Sequence, residues 1–314
     1  MKGLRALVVG DVMLDEYIVG RATRISPEAP VMVVRRERSF HVPGGAANVA
    51  KNILALGGSA HLVGACGDDA AGRSLIEALA LSGVDASGVV AHSDRPTTCK
   101  TRVMADHAHQ VLRIDTEQDD PISDEAADAL VSHFESVLPE ADVIVLSDYL
   151  KGTLTSQLVS RILETSQKAG RPVCVNPKPA SLDQYQHASL VTLNRSEAST
   201  AAGMAIDGVA AAQSAASALR SSLDVEAIVV TLGEEGMVAE TSVEGLHIAA
   251  PKVEVYDTAG AGDTVIATLA LGWAAVGADP TVFGLAALTS SAVVRKVGVA
   301  VPSATDLEEI RSLG

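Results

Sequence analysis

Aromatic residues are scarce in this chain of 314: one Trp, four Tyr and three Phe make up 3% of it. A core built with so few rings must fill its space with aliphatic side chains. Ala and Val are abundant, the composition of helices packed on a parallel sheet. Cysteine is sparse too. Cys66, Cys99 and Cys174 stand far apart without metal-ligand spacing, so they read as free, mostly structural thiols in a reducing compartment. No uninterrupted apolar run is long enough to cross a bilayer, and no membrane partner is expected. The apolar start, MKGLRALVVGDVMLDEY, meets Asp11, Asp15 and Glu16 at once and shows no small-residue cleavage site. It reads as a buried first strand rather than a signal peptide, and the expected location is the cytoplasm. Basic residues are outnumbered, 24 against 39 acidic ones, for a net charge of −15. That excludes nucleic acid as the main partner, because phosphate backbones bind basic surfaces. A nucleotide stays open, since one helix terminus and a few cations hold a triphosphate locally. Internal repeats, low-complexity tracts and long linkers are absent, so one domain over 1–314 is the economical organisation.

What is present is an alternation of short apolar runs and longer helical stretches, the pattern of an α/β sheet with crossover helices. Core strands are predicted at 6–9, 61–64, 143–146, 172–175, 190–193 and 227–230. Helices are predicted around 46–56, 70–81, 123–137, 154–168, 207–221, 261–276 and 280–296. Near-continuous apolar strands expect helices on both faces of a mainly parallel sheet, a three-layer αβα sandwich. Two segments break the alternation. Residues 17–40 and 97–115 carry charged, alternating patterns with turn signals, and read as hairpins outside the main sheet. They are either a small β lid or ordinary surface hairpins.

The strongest chemical signal is D-T-A-G-A-G-D-T at 257–264, entering an apolar helical run. Gly260 and Gly262 allow a tight turn and close approach of an anion. The amides of Ala261, Gly262 and Asp263 then open a helix, where the dipole favours negative charge. A carboxylate beside such a hole repels phosphate but is well placed to take a proton from an incoming hydroxyl. The alternative is a plain helix-capping turn in which Asp263 satisfies orphan amides. A Rossmann-type dehydrogenase does not fit, because no G-x-G-x-x-G follows the first strand.

This turn closely resembles the C-terminal signature of the ribokinase-like sugar kinases, the PfkB family, and P-G-G-A-A-N-V-A at 43–50 resembles their N-terminal signature. The resemblance covers essentially the whole chain and implies a ribokinase-like fold with a small β lid, ATP as phosphoryl donor, and Mg²⁺. It makes Asp263 the catalytic base and Gly260, Ala261 and Gly262 the anion hole. Asn194 and Glu197, in N-R-S-E, match a motif that organises Mg²⁺ and phosphate largely through water. Thr231 and Gly233, in T-L-G, match residues that approach the nucleotide, and Lys178 resembles a Lys that nears the phosphates. Asp11, Asp15, Gly44, Gly45 and Asn48 match the sugar end. There, carboxylates and amides take hydrogen bonds from vicinal hydroxyls, and glycines leave room for the sugar against the backbone. For Asp11, Glu197 and Lys178 the competing readings are a loop or cap residue, a solvated helix residue and an exposed loop charge. The resemblance also raises monovalent-cation dependence, with Asp257 as the residue concerned.

Within that family, M-L-D-E-Y at 13–17, R-I-S-P-E-A-P-V at 24–31 and L-S-D-Y-L-K-G at 146–152 are most similar to heptose-7-phosphate kinases, the kinase half of a bifunctional kinase–adenylyltransferase. The implied reaction phosphorylates the anomeric hydroxyl of D-glycero-D-manno-heptose 7-phosphate to the 1,7-bisphosphate for ADP-heptose synthesis. A phosphorylated substrate needs cations at its far end, and Arg24, Lys100, Arg102, Arg113 and Lys151 are the candidates. Another sugar or sugar phosphate as acceptor, and a binding protein without catalysis, are the competing functions. The pattern departs from the family at Asn176-Pro177-Lys178-Pro179, where Asp-Pro-Lys-Gly is usual, and at Arg195, where small or acidic residues are common. Exposed hairpin edges in a lid tend to pair, so a homodimer through the lid is expected.

Overall fold

Strand β1 (Arg5–Gly10) shows how the sequence lays down the core. Its alternate side chains part to opposite faces of the sheet. Leu7 and Val9 join one apolar cluster, while Ala6 and Val8 join another. Both faces are therefore covered, which a continuous apolar strand requires. The computed structural model describes residues 1–105 and 109–313, and residues 106–108, inside the second predicted lid segment, and Gly314 lie outside it.

In chain order the elements are β1, β2 (Val12–Ile25), β3 (Met32–Gly45), α1 (Ala46–Ala55), β4 (Ser59–Gly67), α2 (Ala70–Ser82), β5 (Asp85–His92), β6 (Cys99–Ala105) and β7 (His109–Thr116). Then come α3 (Asp124–Val137), β8 (Val143–Ser147), α4 (Ser156–Lys168), β9 (Val173–Asn176), β10 (Leu190–Asn194), α5 (Arg195–Ala202) and α6 (Val209–Leu223). The chain closes with β11 (Ala227–Thr231), β12 (Met237–Thr241), β13 (Gly245–Ile248), α7 (Ala261–Val276), α8 (Pro280–Val293) and α9 (Ala304–Leu313). The main sheet runs β13-β12-β11-β10-β9-β8-β1-β4-β5. It is parallel except for β12 and β13, which turn back at one edge as antiparallel strands. A separate four-stranded sheet, β3-β2-β6-β7, is the lid. All six predicted core strands and all seven predicted helices are present. Strands β5, β12 and β13 and helices α5 and α9 come in addition.

The parallel order brings the C-terminal ends of the strands to one rim. Gly10 pairs with Ser147, Ser147 with Asn176, and Asn194 with Thr231. Open α/β sheets bind ligands outside this rim. The loop after β8 is held there by two buried carboxylates. Asp11 is 1% exposed and accepts from the amides of Tyr149 (2.7 Å), Lys151 (3.0 Å) and Thr153 (3.1 Å). Asp148 accepts from the Leu150 amide and from the Tyr185 hydroxyl, at 2.8 and 2.7 Å. These anchors hold Leu150 at φ 58 and Gly152 at φ 83, in the left-handed region that side chains resist. Burial pushes the Asp11 carboxyl above its ordinary range, and the three amides oppose that.

Asp11→Ala leaves three amides without their acceptor in a buried loop. A loss of about 2–5 kcal/mol in unfolding free energy is expected, read as a lower urea midpoint at unchanged m-value; a midpoint within error of wild type would show the loop is held by other means.

Candidate active site

Helix α7 begins where glycine permits it. Gly260 caps it at φ 80, and a side chain there would press on the Asn48 amide. Gly262, in the first turn, faces open space: a Cβ there would meet nothing within 4 Å. The first-turn amides of α7 therefore stand at an accessible helix N-terminus, a preformed place for negative charge.

Asp263 lies one residue further and is 4% exposed. Its carboxylate is held from both sides. Asn48 Nδ2 donates to Oδ2 at 2.7 Å, and the Tyr149 hydroxyl donates to Oδ1 at 2.6 Å. Loss of water raises the carboxyl to about 6; the two donors and the more distant Lys178 pull it down, and Asp15 pushes it up. A carboxyl poised there is ionised at neutral pH and still able to take a proton. The capping alternative is not what the side chain does: α7 shows no side-chain cap, and Asp263 turns to Asn48 and Tyr149 instead. Asn48 is fully buried, and its Oδ1 has no hydrogen-bond partner among the described residues. The amide thus spends its donor on the carboxylate and keeps an acceptor open.

The lid brings the sugar-end residues to the same place. Strand register puts Asp15 beside Lys100 and Asp115, and Tyr17 beside Phe40, Arg102 and Arg113. Side chains in register share a face, so Asp15 and three of the candidate cations, Lys100, Arg102 and Arg113, lie on one side of the lid. Arg102 Nη2 binds Asp15 Oδ1 at 2.8 Å, while its buried Nε has no partner among the described residues. Lys100 stands 3.8 Å from Asp115 and 3.5 Å from Glu117. Arg113 is half-exposed and pairs with Asp115 at 2.8 Å, and Arg24 is exposed on β2. Lys151 pairs with Glu117 and Asp119. Lys51 was not singled out from the sequence. It sits one turn after Asn48 on α1, half-buried, with burial lowering its ammonium and Asp15 opposing that. Its signal was the N-x-x-K spacing of N-V-A-K, which puts it on the face of Asn48.

Three expected roles change. Asp11 serves as a loop anchor, because its carboxylate is buried and turned to three amides of the loop after β8. The space beside Gly44 is taken by the Asp15 carboxylate, and that beside Gly45 by Met13 and the Asp11 carbonyl. These glycines make room for protein rather than for sugar, and Gly45 also supplies φ 58 at the start of α1.

At the other end of the rim, Asn194 and Glu197 form a reciprocal capping box on α5. The Glu197 amide donates to Asn194 Oδ1 and the Asn194 amide to Glu197 Oε2, both at 2.9 Å. Glu197 Oε1 meets Lys178 Nζ at 2.6 Å, and that ammonium lies 4.9 Å from the centre of the Tyr149 ring. Thr231 ends β11, and Gly233 follows at φ 65 with open space beside it. The departures from the usual pattern have local explanations. Asn176 Nδ2 donates to the Thr192 carbonyl at 3.2 Å, a bond an acid could not make without a proton. Arg195 ties the carbonyls of Ile206 and Leu232 and the carboxylate of Glu235 together. Asp257 accepts from the amides of Ala259 and Gly298, both at 2.9 Å, and so fastens the glycine turn to the loop after α8.

The chain is similar to known proteins in both sequence and fold. The Bifunctional protein HldE of Pseudomonas aeruginosa (strain LESB58) is 46% identical over 302 residues, 96% of this chain and 62% of that protein. That of Desulfatibacillum aliphaticivorans is 39% identical over 305 residues, 97% of this chain and 62% of its own length. The chain therefore spans less than two thirds of these relatives. Among solved structures, phosphofructokinase-2 from Escherichia coli in complex with potassium superposes with a TM-score of 0.83 at 21% identity, over 99% of both chains. Ribokinase from Arabidopsis thaliana, complexed with ribose and ATP, does so at 0.74 and 20%, again over 99% of both; at these identities the likeness is one of fold. Among the described residues no helix is long and apolar enough to cross a membrane. Residues 4–306 match the family described as pfkB family carbohydrate kinase, and the chain belongs to that family.

Proposed function

We propose that this chain is an ATP-dependent kinase that phosphorylates the anomeric hydroxyl of D-glycero-D-manno-heptose 7-phosphate. The observation that carries the reading is the buried Asp263 carboxylate, held by two donors beside an open glycine turn. It offers both a proton acceptor and a helix N-terminus open to an anion. Asn48, with its donor on Asp263 Oδ2, fixes the direction of the base toward that hydroxyl. Asp263 takes the hydroxyl proton as the oxygen attacks the γ-phosphorus, and the first-turn amides of α7 stabilise the charge on the transferring group.

The nucleotide would lie along Thr231, Gly233, Asn194 and Lys178. Mg²⁺, when bound with ATP, neutralises charge on its phosphates. Glu197 fits an outer role toward it, since both carboxylate oxygens are already engaged by protein donors. The choice of a phosphorylated sugar rests on the lid. Lys100, Arg102 and Arg113 share the face of Asp15, three cations that a sugar phosphate could meet together. The relatives carrying the name HldE and the motifs at 13–17, 24–31 and 146–152 support the heptose phosphate in particular. Such a reaction belongs in the cytoplasm, where ATP is made available.

The outer face of the lid supports a homodimer. Ile18, Val103 and Leu112 lie in one cross-strand row with Ile114 beside it, and Leu112 and Ile114 are 53% and 52% exposed. An apolar sheet face of this kind suits a second copy of itself. Sedimentation velocity should give a dimer that Leu112→Asp dissociates; a wild-type monomer at micromolar concentration ends that part of the reading.

The acceptor is tested with ATP and Mg²⁺ against D-glycero-D-manno-heptose 7-phosphate, fructose 6-phosphate, ribose and fructose. The heptose phosphate should give by far the highest kcat/KM, and Lys100→Met should raise KM for it about 10–100-fold while KM for ATP holds. Preference for an unphosphorylated sugar refutes the acceptor but keeps the kinase. Asp263→Asn should cost about 10²–10⁴-fold in kcat. Because the ionised form of Asp263 is the acceptor, wild-type kcat/KM should fall as pH drops through about 6. Near-normal turnover in the Asn variant would remove Asp263 from the role of base.

A further inference from the structure

Tyr149 has no role in the reading so far beyond touching Asp263, yet its surroundings are unusual for a tyrosine. It stands on the loop that Asp11 and Asp148 fix, two residues after the end of β8. The backbone at this position is itself clamped, its amide donating to Asp11 Oδ2 at 2.7 Å. The phenol hydroxyl is aimed at Asp263 Oδ1 at 2.6 Å, at the short end for a hydrogen bond to a carboxylate. The ring face carries a cation, Lys178 Nζ at 4.9 Å, and that cation is steered by Glu197 at 2.6 Å. A cation over an aromatic face draws electron density from the ring, and a phenol so treated is a stronger hydrogen-bond donor. The four side chains form one continuous line from the nucleotide end of the rim to the base.

We propose that Tyr149 is a positioning residue for the reaction, its hydroxyl fixing the direction of the Asp263 carboxylate and, with Lys178 on its ring, holding that carboxylate in its ionised, proton-accepting form. The proposal rests on the reading of Asp263 as the base. The hydroxyl is a donor only. Desolvation and the neighbouring Asp263 charge hold the phenol well above its ordinary range, so it keeps its own proton throughout and takes no part in the proton's path. Its work is to occupy Oδ1. Asn48 occupies Oδ2, and a carboxylate pinned at both oxygens cannot rotate away from the hydroxyl it must deprotonate. A carboxylate can accept at more than one site on each oxygen, so both bonds persist while the substrate hydroxyl approaches.

The groups that bear on Asp263 are few. Asn48 and Tyr149 act through hydrogen bonds, Lys178 lowers and Asp15 raises its readiness to hold a proton, and burial opposes ionisation. Removing the phenol hydroxyl leaves burial less opposed, so the carboxyl must rise. The decisive measurement needs no substrate: titration of the Asp263 carboxyl by ¹³C NMR, its signal assigned by loss in Asp263→Asn. The wild-type midpoint is expected at about 6, and Tyr149→Phe should move it upward by about one pH unit. Replacing the four tyrosines by 3-fluorotyrosine, a more acidic phenol and stronger donor, should move it the other way. In turnover, the acid limb of kcat/KM should follow the NMR midpoint in each protein, with KM for ATP unchanged. A Tyr149→Phe protein that melts as wild type and titrates at the wild-type midpoint overturns the proposal. So does an acid limb that stays in place while the rate falls equally at every pH, the signature of a merely structural residue. Silence on every sugar with a shifted midpoint would instead fault the reading of the reaction and leave the Tyr149–Asp263 coupling standing.

Discussion

A carboxylate taken out of water keeps its charge only where donors replace the lost hydration. Asp263 is almost wholly buried, and two donors meet it, one from α1 and one from the loop after β8. Much of the surrounding architecture reads as support for that contact. Asp11 and Asp148 hold the loop that carries Tyr149, Gly260 lets α7 start close enough to Asn48, and Asp257 fastens the turn before it. The apolar faces of helix and sheet would still be buried without these groups. What they supply is a fixed position for one charge.

The lid works by a second physical rule, the two-residue repeat of a strand. Charged and apolar residues on β2, β6 and β7 separate to opposite faces, so one sheet carries both a cationic floor over the site and an apolar outer surface. The cations of the floor are partnered by lid and loop carboxylates. Such pairs keep like charges close together until an anion offers a better partner. An acidic protein can hold a phosphate in this way without a basic surface.

How much of this was legible in the sequence depends on how local each signal is. Strands such as Val143–Ser147, buried on both faces, announce themselves as continuous apolar runs, and the αβα layers follow from their alternation with helices. Strands β5 and β13 are the two edges of the main sheet, where half-exposed patterns blur, and β12 beside β13 is a buried run of only five residues. Helix α5 is only eight residues and largely polar, so its periodicity is weak, although the N-x-x-E capping box marked its start. The glycine turn and Asp263 were readable because turn, anion hole and carboxylate sit within eight residues. Asp11 was misassigned for a reason of the same kind. An Asp after a strand-ending Gly looks alike whether it binds a ligand or three amides of a loop 138 to 142 residues away. Tyr149 carries no motif of its own; only its place just past the end of β8, on the rim where sites form, pointed to it.

Asp263 and its two donors are far apart along the chain, Asn48 lying 215 residues and Tyr149 114 residues before it. A ribosome makes them in that order, and long-range contacts of this span form late. Through most of synthesis the two donors exist with no carboxylate to hold, and the glycine turn that completes the machinery follows only after all thirteen described strands have been made. The contact that fixes Asp263 is thus among the last that synthesis makes possible. A nascent or clipped chain that ends before α7 carries the sequence of every described strand yet lacks the carboxylate that Asn48 and Tyr149 are placed to meet.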